Sequence, residues 1–350
     1  MITLDFHGDV DLRTLVLILL VGLISSACSG IEVTKAQRKI QAPYDGSRFN
    51  NIEPFDDKSF LTVMRWKLAN EGSDWEMVEN QEFYKPKYQR SKKLKMTMIG
   101  HTTVLIQIDN INILTDPHYS DRASPFSWIG PQRVIQPAIK FEDLPPIDLV
   151  LISHDHYDHL DYPTLKRLNK KFEPTFLVGL GNKQRLEDIG IKNVYEMDWW
   201  EEFKFKNISL HFTPVQHWSA RGLFDKRKTL WGGFYIEASQ KIFFIGDTGY
   251  GKVFNMIKEK YGPMDIGLIP IGAYEPRWFM KDAHINPEES VRVFLDLELK
   301  KAMGVHFGTF EGLTDEPKDQ PMADLEDALK KSQVLPSDFI APEFGVTYEY

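Results

Sequence analysis

Between Ser153 and Leu160 the chain reads His154-Asp155-His156-Tyr157-Asp158-His159, three imidazoles and two carboxylates in six residues. Neutral imidazole nitrogens and carboxylate oxygens are ligands for divalent ions such as zinc, and an ion held this way assists hydrolysis. On a helix, residues two apart do not face each other, so His154 and His156 could not share an ion there. In extended or tightly turned backbone they can. His154 and His156 therefore form one candidate ligand pair, and Asp158 with His159 a second. Three further candidates have similar surroundings: His217 after the run 208–216, Asp247 after 241–246, and His306 at the end of 303–305. A lone histidine is ordinarily a surface or satisfied core residue. His7, His101, His118 and His211 are read in that way, with His101 in Gly100-His-Thr-Thr103 as structural support.

These candidates need elements that bring them together. The run Leu149-Val-Leu-Ile-Ser153 reads as a buried strand and Tyr162 as the start of a helix, so the histidine motif falls on the loop between them. His217, Asp247 and His306 each lie at or just past the end of an apolar run. Loops at strand ends are where α/β sheets place their sites, so four strand ends are expected to converge on one rim. Short β-branched runs predict strands over 95–99, 104–108, 111–115, 149–153, 175–178, 208–212, 233–237, 241–245, 266–270 and 303–306. Amphipathic stretches predict helices over 162–169, 183–189, 253–261, 287–297 and 322–330. Pro287 followed by Glu288 and Glu289 opens one of these, and Pro321 precedes another. Strands interleaved with helices predict an α/β sandwich.

With 350 residues, 42% apolar and 26% charged, the chain has the composition of a folded body with a proper core. A net charge of −8 gives no basic face for nucleic acid. Cys28 is the only cysteine, which excludes an intramolecular disulfide and a thiolate metal cluster. It follows the apolar run 14–27, too short for a comfortable membrane span but of signal-peptide length, and Ser25, Ser26 and Ala27 precede it. This resembles a bacterial lipoprotein signal: residues 1–27 would be removed, and acylated Cys28 would tether the chain to the cell-envelope membrane, facing periplasm or exterior. An uncleaved anchor, an ordinary secretory signal and a cytoplasmic location are the alternatives. Residues 28–93 are polar and irregular, with a helix candidate over 60–70, and read as an extension wrapping a hydrolase domain that spans 94–350.

The motif His154-x-His-x-Asp-His159 with distant His217, Asp247 and His306 resembles the metallo-β-lactamase superfamily. Within it, the likeness is to the N-acylphosphatidylethanolamine-hydrolysing phospholipases D. It is carried by Gly100-His-Thr-Thr-Val104, Leu114-Thr-Asp-Pro117, Asp198-Trp-Trp-Glu201, Gly246-Asp-Thr-Gly-Tyr250 and Ile269-Pro-Ile-Gly-Ala-Tyr-Glu-Pro-Arg-Trp-Phe-Met-Lys281, among others. The resemblance implies a four-layer αβ/βα sandwich holding two zinc ions. His154, His156 and His217 would hold one ion, Asp158, His159 and His306 the other, and Asp247 would bridge them. It implies that Tyr157 and His284 contact the substrate phosphate and that His284, Asp158 and Asp247 serve catalysis. Ala283 stands where the family carries Gln. The expected reaction is hydrolysis of N-acylphosphatidylethanolamine by metal-activated hydroxide, releasing N-acylethanolamine and phosphatidic acid. A phospholipid substrate, a membrane surface and a homodimeric partner go with it. Two other readings stay open: a hydrolase of another phosphodiester, a sugar phosphate or a lactone, and a non-catalytic lipid-binding surface lipoprotein. Asp116 is nominated to orient a ligand imidazole, against the alternative of a turn aspartate before Pro117. Trp218, Trp278, Phe279 and Met280 are nominated for an apolar slot or its rim, and Trp199 and Trp200 for the core.

Overall fold

The computed structural model describes residues 39–69, 72–87 and 89–350. Cys28, His7 and the signal-like segment 1–27 lie outside the described residues. One seven-stranded sheet is built from β1 (Lys95–Gly100), β2 (Thr103–Ile108), β3 (Ile111–Thr115), β5 (Leu149–Leu151), β6 (Thr175–Gly179) and β7 (Val194–Met197), with β16 (Thr347–Glu349) at its edge beside β1. The short β4 (Gln132–Arg133) lies outside it and pairs with β14 (Phe310–Glu311). The second seven-stranded sheet runs in the order β15 (Phe339–Ile340), β13 (Lys301–Val305), β12 (Ile266–Pro270), β11 (Lys241–Phe244), β10 (Gly233–Glu237), β9 (Ile208–Thr213) and β8 (Glu202–Phe205). In each sheet half the pairings are parallel and half antiparallel. β3, β5, β6 and β7 run parallel in the first, and β11, β12, β13 and β15 in the second.

The layers follow from side-chain alternation along the strands. Met96, Met98, Val104, Ile106, Ile108, Ile113, Leu149, Leu151 and Leu177 face one way and pack with Leu210, Phe212, Phe234 and Ile236 of the second sheet. Their neighbours Ile99, Leu105, Leu114, Val150, Phe176 and Val178 face the other way, onto Leu165, Leu168 and Leu186 of the helices Tyr162–Phe172 and Asn182–Asp188. On the far side of the second sheet, Phe254, Ile257, Val291, Phe294, Leu325 and Leu329 come from the helices Val253–Tyr261, Pro287–Asp296 and Gln320–Ser332. The result is the four-layer αβ/βα sandwich. Each fully buried Leu, Ile or Phe contributes roughly 1.5–3 kcal/mol on this accounting.

Residues 39–93 run across both halves. Gln41 and Ala42 donate backbone N–H groups to the Asp198 carboxylate, and Phe49 is fully buried in the main core. The helix Phe60–Ala69 carries Trp66, which stacks on Phe279 at 4.7 Å and donates to Asp315. Further along, Val78 and Tyr84 donate to the carbonyls of Val134 and Ala138. Among the described residues, no helix is long and apolar enough to cross a membrane.

Candidate metal centre

The loops after β3, β5, β9, β11 and β13 meet at one rim and deliver Asp116, His154, His217, Asp247 and His306. His154 follows the strand end by three residues on an irregular segment, and a tight turn over 156–159 then places Asp158 and His159 before the helix begins. His154 Nε2 lies 2.8 Å from His156 Nδ1, which lies 3.3 Å from His217 Nε2. Asp158 Oδ2 lies 3.1 Å from His159 Nε2 and 3.3 Å from His306 Nε2. Asp247 Oδ2 sits between the two groups, 3.1 and 3.2 Å from His159 and His306 and 3.9 Å from both His154 and His217. All seven sequence-predicted ligands are thus brought together.

Divalent metal fits this cluster. Three imidazole nitrogens facing one another repel unless a cation or a proton lies between them. His159 Nε2 and His306 Nε2 face the Oδ2 atoms of Asp158 and Asp247 at 3.1–3.3 Å, and Asp247 Oδ1 is buried with no hydrogen-bond partner among the described residues, so ligand atoms of both kinds converge on a space that a cation would fill. The electrostatics of the ion-free chain agree. Burial, reinforced by neighbouring imidazoles, pushes His154 far below the ordinary histidine range, and burial pushes His217 and His156 down as well, so all three stay neutral. Burial also pulls on His306, but Asp247 and Asp158 outweigh it and hold it up at about 9. His159 is raised well above its ordinary value by the same two carboxylates against the same burial. Burial pushes Asp158 and Asp247 up, yet His159 and the surrounding donors bring both well below 3.8. Protons on His159 and His306 stand where a divalent ion would supply the positive charge.

The ligands are held from behind. Asp116, fully buried, accepts from His159 Nδ1 at 2.7 Å, from Ser153 Oγ at 2.6 Å and from Ser153 N at 2.7 Å. Ser153 Oγ is 2.9 Å from His154 Nδ1. Since the hydroxyl donates to Asp116, its lone pair accepts from His154, and both imidazoles keep Nε2 free for metal. Asp116 is therefore an orienting group rather than a turn aspartate. His217 donates from Nδ1 to the carbonyl of Ala283 at 2.9 Å, a bond that makes no demand on the side chain at 283. Its backbone is clamped reciprocally by Asn51 of the extension, at 2.8 and 3.1 Å. Gly246, at φ +72°, lets the chain pass Ser153 ahead of Asp247; a Cβ there would meet Ser153 Cβ at 2.7 Å. Asp116, His101 and His306 all have positive φ (31°, 57° and 63°), a conformation that costs non-glycine residues about 1–2 kcal/mol each. Bonds hold each in place: Asp116 N to Leu151 O, His101 N to Thr309 Oγ1, and His306 N to His101 O.

A cavity of about 370 Å³ opens over the cluster, with His156, Asp158, Asp247, His284 and His306 at its base. Its walls are Phe55, Val63 and Trp66 from the extension, and Trp218, Phe279 and Met280 from the core. Trp218 packs edge-on to His156 at 4.3 Å. Trp278 stands outside the wall, half exposed, while Trp199 is buried in the core and donates to Trp231 O. Trp200 packs against the core from its margin. His284 Nδ1 faces the centre, 3.8 Å from Asp247 Oδ2, and burial lowers it to about 4, so it is neutral at pH 7. Arg277 holds the His284 carbonyl at 2.8 Å and Glu289 at 2.8 Å. Glu289 in turn completes a capping box with Asn286 on the helix Pro287–Asp296. Tyr157 lines the cavity, but its hydroxyl donates to Arg221 O at 2.8 Å, and Arg221 lies over its ring.

Sequence reasoning passed over several groups. His101, read only as structural support, is buried with Nε2 3.0 Å from Asp158 Oδ2. Asn51, Phe55 and Trp66 lie in a polar stretch whose only signal was the helix over 60–70. His118 is buried beside Arg133, and His211 packs on Tyr235 and Tyr261 away from the centre.

Residues 111–307 match the model described as the Beta-lactamase superfamily domain. The chain is 40% identical over 269 residues to "N-acyl-phosphatidylethanolamine-hydrolyzing phospholipase D 1" of Caenorhabditis elegans, covering 72% of this chain and 75% of the relative. It is 38% identical over 222 residues to the mitochondrial N-acyl-phosphatidylethanolamine-hydrolyzing phospholipase D of Saccharomyces cerevisiae, covering 61% of this chain and 47% of that one. Among solved structures, a metallo hydrolase from the archaeon Ignicoccus hospitalis superposes with a TM-score of 0.55 at 20% identity, covering 74% of this chain and 98% of that chain.

Proposed function

From the premise that this chain belongs to the β-lactamase superfamily, as a metal-dependent hydrolase of that fold, we propose that it cleaves N-acylphosphatidylethanolamine to N-acylethanolamine and phosphatidic acid on two zinc ions. The observation that carries the reading is Asp247 Oδ2, set between two complete ligand groups at the base of a cavity with an apolar wall. Such ions, when bound, lower the pKa of water and take up charge growing on a phosphoryl oxygen. His154, His156 and His217 would hold one, Asp158, His159 and His306 the other, with Asp247 shared.

The rest is the work of this chain's side chains. Phe55, Val63, Trp66, Phe279 and Met280 exclude water and offer an acyl chain apolar contact. Neutral His284 faces the reacting centre and donates a hydrogen bond to a phosphate oxygen or the leaving oxygen. Tyr157 walls the same side, and its hydroxyl reaches a phosphate oxygen only on leaving Arg221 O. Acylation of Cys28 in a bacterial envelope would keep the cavity at its substrate. The relatives' names support the lipid substrate over a sugar phosphate or a lactone.

The test is incubation of zinc-loaded protein with labelled N-acylphosphatidylethanolamine and, separately, phosphatidylethanolamine in mixed micelles. Phosphatidic acid and N-acylethanolamine are expected from the first. Absence of product at full zinc content would overturn the substrate. His284→Ala is expected to lower turnover at unchanged metal content, and full activity in that variant would remove its role.

A further inference from the structure

We propose that His101 is a positioning residue of the metal centre, holding Asp158 through its Nε2–H and itself held by a buried brace of Arg133 and Phe310. The inference rests on the two-ion reading of the centre and not on the lipid substrate.

Asp158 sits on a tight turn, and a carboxylate has two oxygens that it can offer an ion. Oδ2 is the oxygen facing His159 and His306, and it is also the one 3.0 Å from His101 Nε2. A donor on that oxygen selects the ligating rotamer before any ion arrives, and ligating carboxylates are themselves hydrogen-bonded. His101 has no room to turn. Its ring lies between His306, at a centroid distance of 4.1 Å, and the edge-on Phe310, at 5.1 Å and 82°. Thr309 Oγ1 accepts from its backbone N–H, and its carbonyl accepts from His306 N.

Phe310 and Arg133 are cross-strand partners in the two-stranded sheet of β14 and β4. The Arg133 guanidinium lies 4.6 Å from the Phe310 centroid and is 1% exposed. It donates to Ser120 O at 3.0 Å and His118 O at 2.8 Å, and His118 Nδ1 lies 3.1 Å away. Among the described residues no carboxylate pairs with it directly. A cation buried on those terms is costly to keep, and the ring whose face it meets is the one that backs His101. The small sheet therefore fixes the angle at which His101 meets Asp158.

The experiment uses ion-free full chain titrated with Co²⁺, followed by visible absorption, and with Zn²⁺ against a chromophoric chelator. The variants are His101→Ala, His101→Gln and Phe310→Leu. His101→Ala is expected to weaken the Asp158-side ion about 10–100-fold, the range for losing an outer-shell partner, and to leave the other ion within about 3-fold. His101→Gln, which keeps an N–H donor, is expected to recover most of the loss, and Phe310→Leu to weaken the same ion less. Unchanged affinities and spectrum in His101→Ala, equal loss of both ions, or a glutamine no better than alanine would overturn the inference. Where His101→Ala fails to fold, unchanged zinc affinity in Phe310→Leu overturns it. The unaltered chain separates the two readings: one ion bound there defeats the two-ion centre itself, while two ions there and two unweakened in His101→Ala defeat only the role of His101.

Discussion

Asp116 is the residue whose loss the structure makes most specific. Its Oδ2 accepts from His159 and, through Ser153 Oγ, governs His154, so one buried carboxylate fixes the tautomer of a ligand in each ion's set. Asp116→Asn is nearly isosteric but cannot satisfy all three donors. With the amide oxygen on Ser153 N, where Oδ1 now accepts at 2.7 Å, the NH₂ faces Ser153 Oγ and His159 Nδ1. His159 then meets a donor and shifts its proton to Nε2, which removes the lone pair that would hold an ion beside Asp158 and Asp247. The opposite amide orientation sets NH₂ against Ser153 N–H instead. The first orientation costs a ligand its metal-binding tautomer and the second leaves a buried donor unpaired, at about 1–3 kcal/mol; outer-shell losses of this kind weaken metal about 10–100-fold, or roughly 1.4–2.7 kcal/mol. Competitive Zn²⁺ titration of the ion-free variant is the assay, with circular dichroism to verify the fold. Both ions should weaken, because both sets hold an imidazole tied to Asp116. Affinities within about 3-fold of the unaltered chain, or loss confined to one ion, would refute the reasoning.

Three further outcomes follow from geometry. Asn51→Ala strips the reciprocal bonds to the His217 backbone and should lower unfolding free energy by about 1–2 kcal/mol in a denaturant titration, together with zinc affinity. Gly272→Ala places a Cβ 2.3 Å from the His306 carbonyl oxygen, so the backbone of a ligand must move; a loss of about 1–3 kcal/mol and a broadened Co²⁺ spectrum are expected. Burial raises Asp225, but Arg185 and the N–H groups of Gly222 and Arg221 outweigh it, holding the group below 3.8. A depressed folded value means this stabilisation is complete above the unfolded pKa and is lost as pH falls through the folded one. Asp225→Asn should cost about 1.5–3 kcal/mol at pH 7 and flatten the decline in stability below pH 4, read from urea midpoints across pH.

The elements legible in the chain were those whose apolar runs are continuous. The strands Ile111–Thr115, Gly233–Glu237 and Ile266–Pro270 and the helix Val253–Tyr261 fall where the sequence predicts them, because their strands are buried over nearly their whole length and their ends carry turn residues. Val194–Met197 and Glu202–Phe205 escaped notice because they lie at the sheet edges, where half of each strand faces water and the apolar signal is diluted. The strand expected over 303–306 stops at Val305, and its physical reason is functional: His306 leaves the ladder at φ +63° to turn its ring toward Asp247.

The same distinction runs through the site. His154, His156, Asp158 and His159 announce themselves because four groups of metal-ligating type fall within six residues. His101 does not, for its partner is 57 residues away and its importance lies wholly in the direction of one N–H. The brace behind it is more hidden still, since Arg133 and Phe310 meet only across a two-residue ladder. Phe55 and Asn51 belong to a stretch outside any strand or helix, and Trp66 to a short helix beside it; Asp198, Asp315 and the backbone of His217 tie that extension to the core. That stretch nonetheless supplies one wall of the cavity and one clamp on a ligand. Four of the ligands are thus set by local spacing and His217, Asp247 and His306 by the ends of their strands, whereas the groups that choose their tautomers and rotamers, and the wall that meets a substrate, are set by tertiary packing. Change in the extension therefore has a route to substrate fit that leaves the ligand motif untouched.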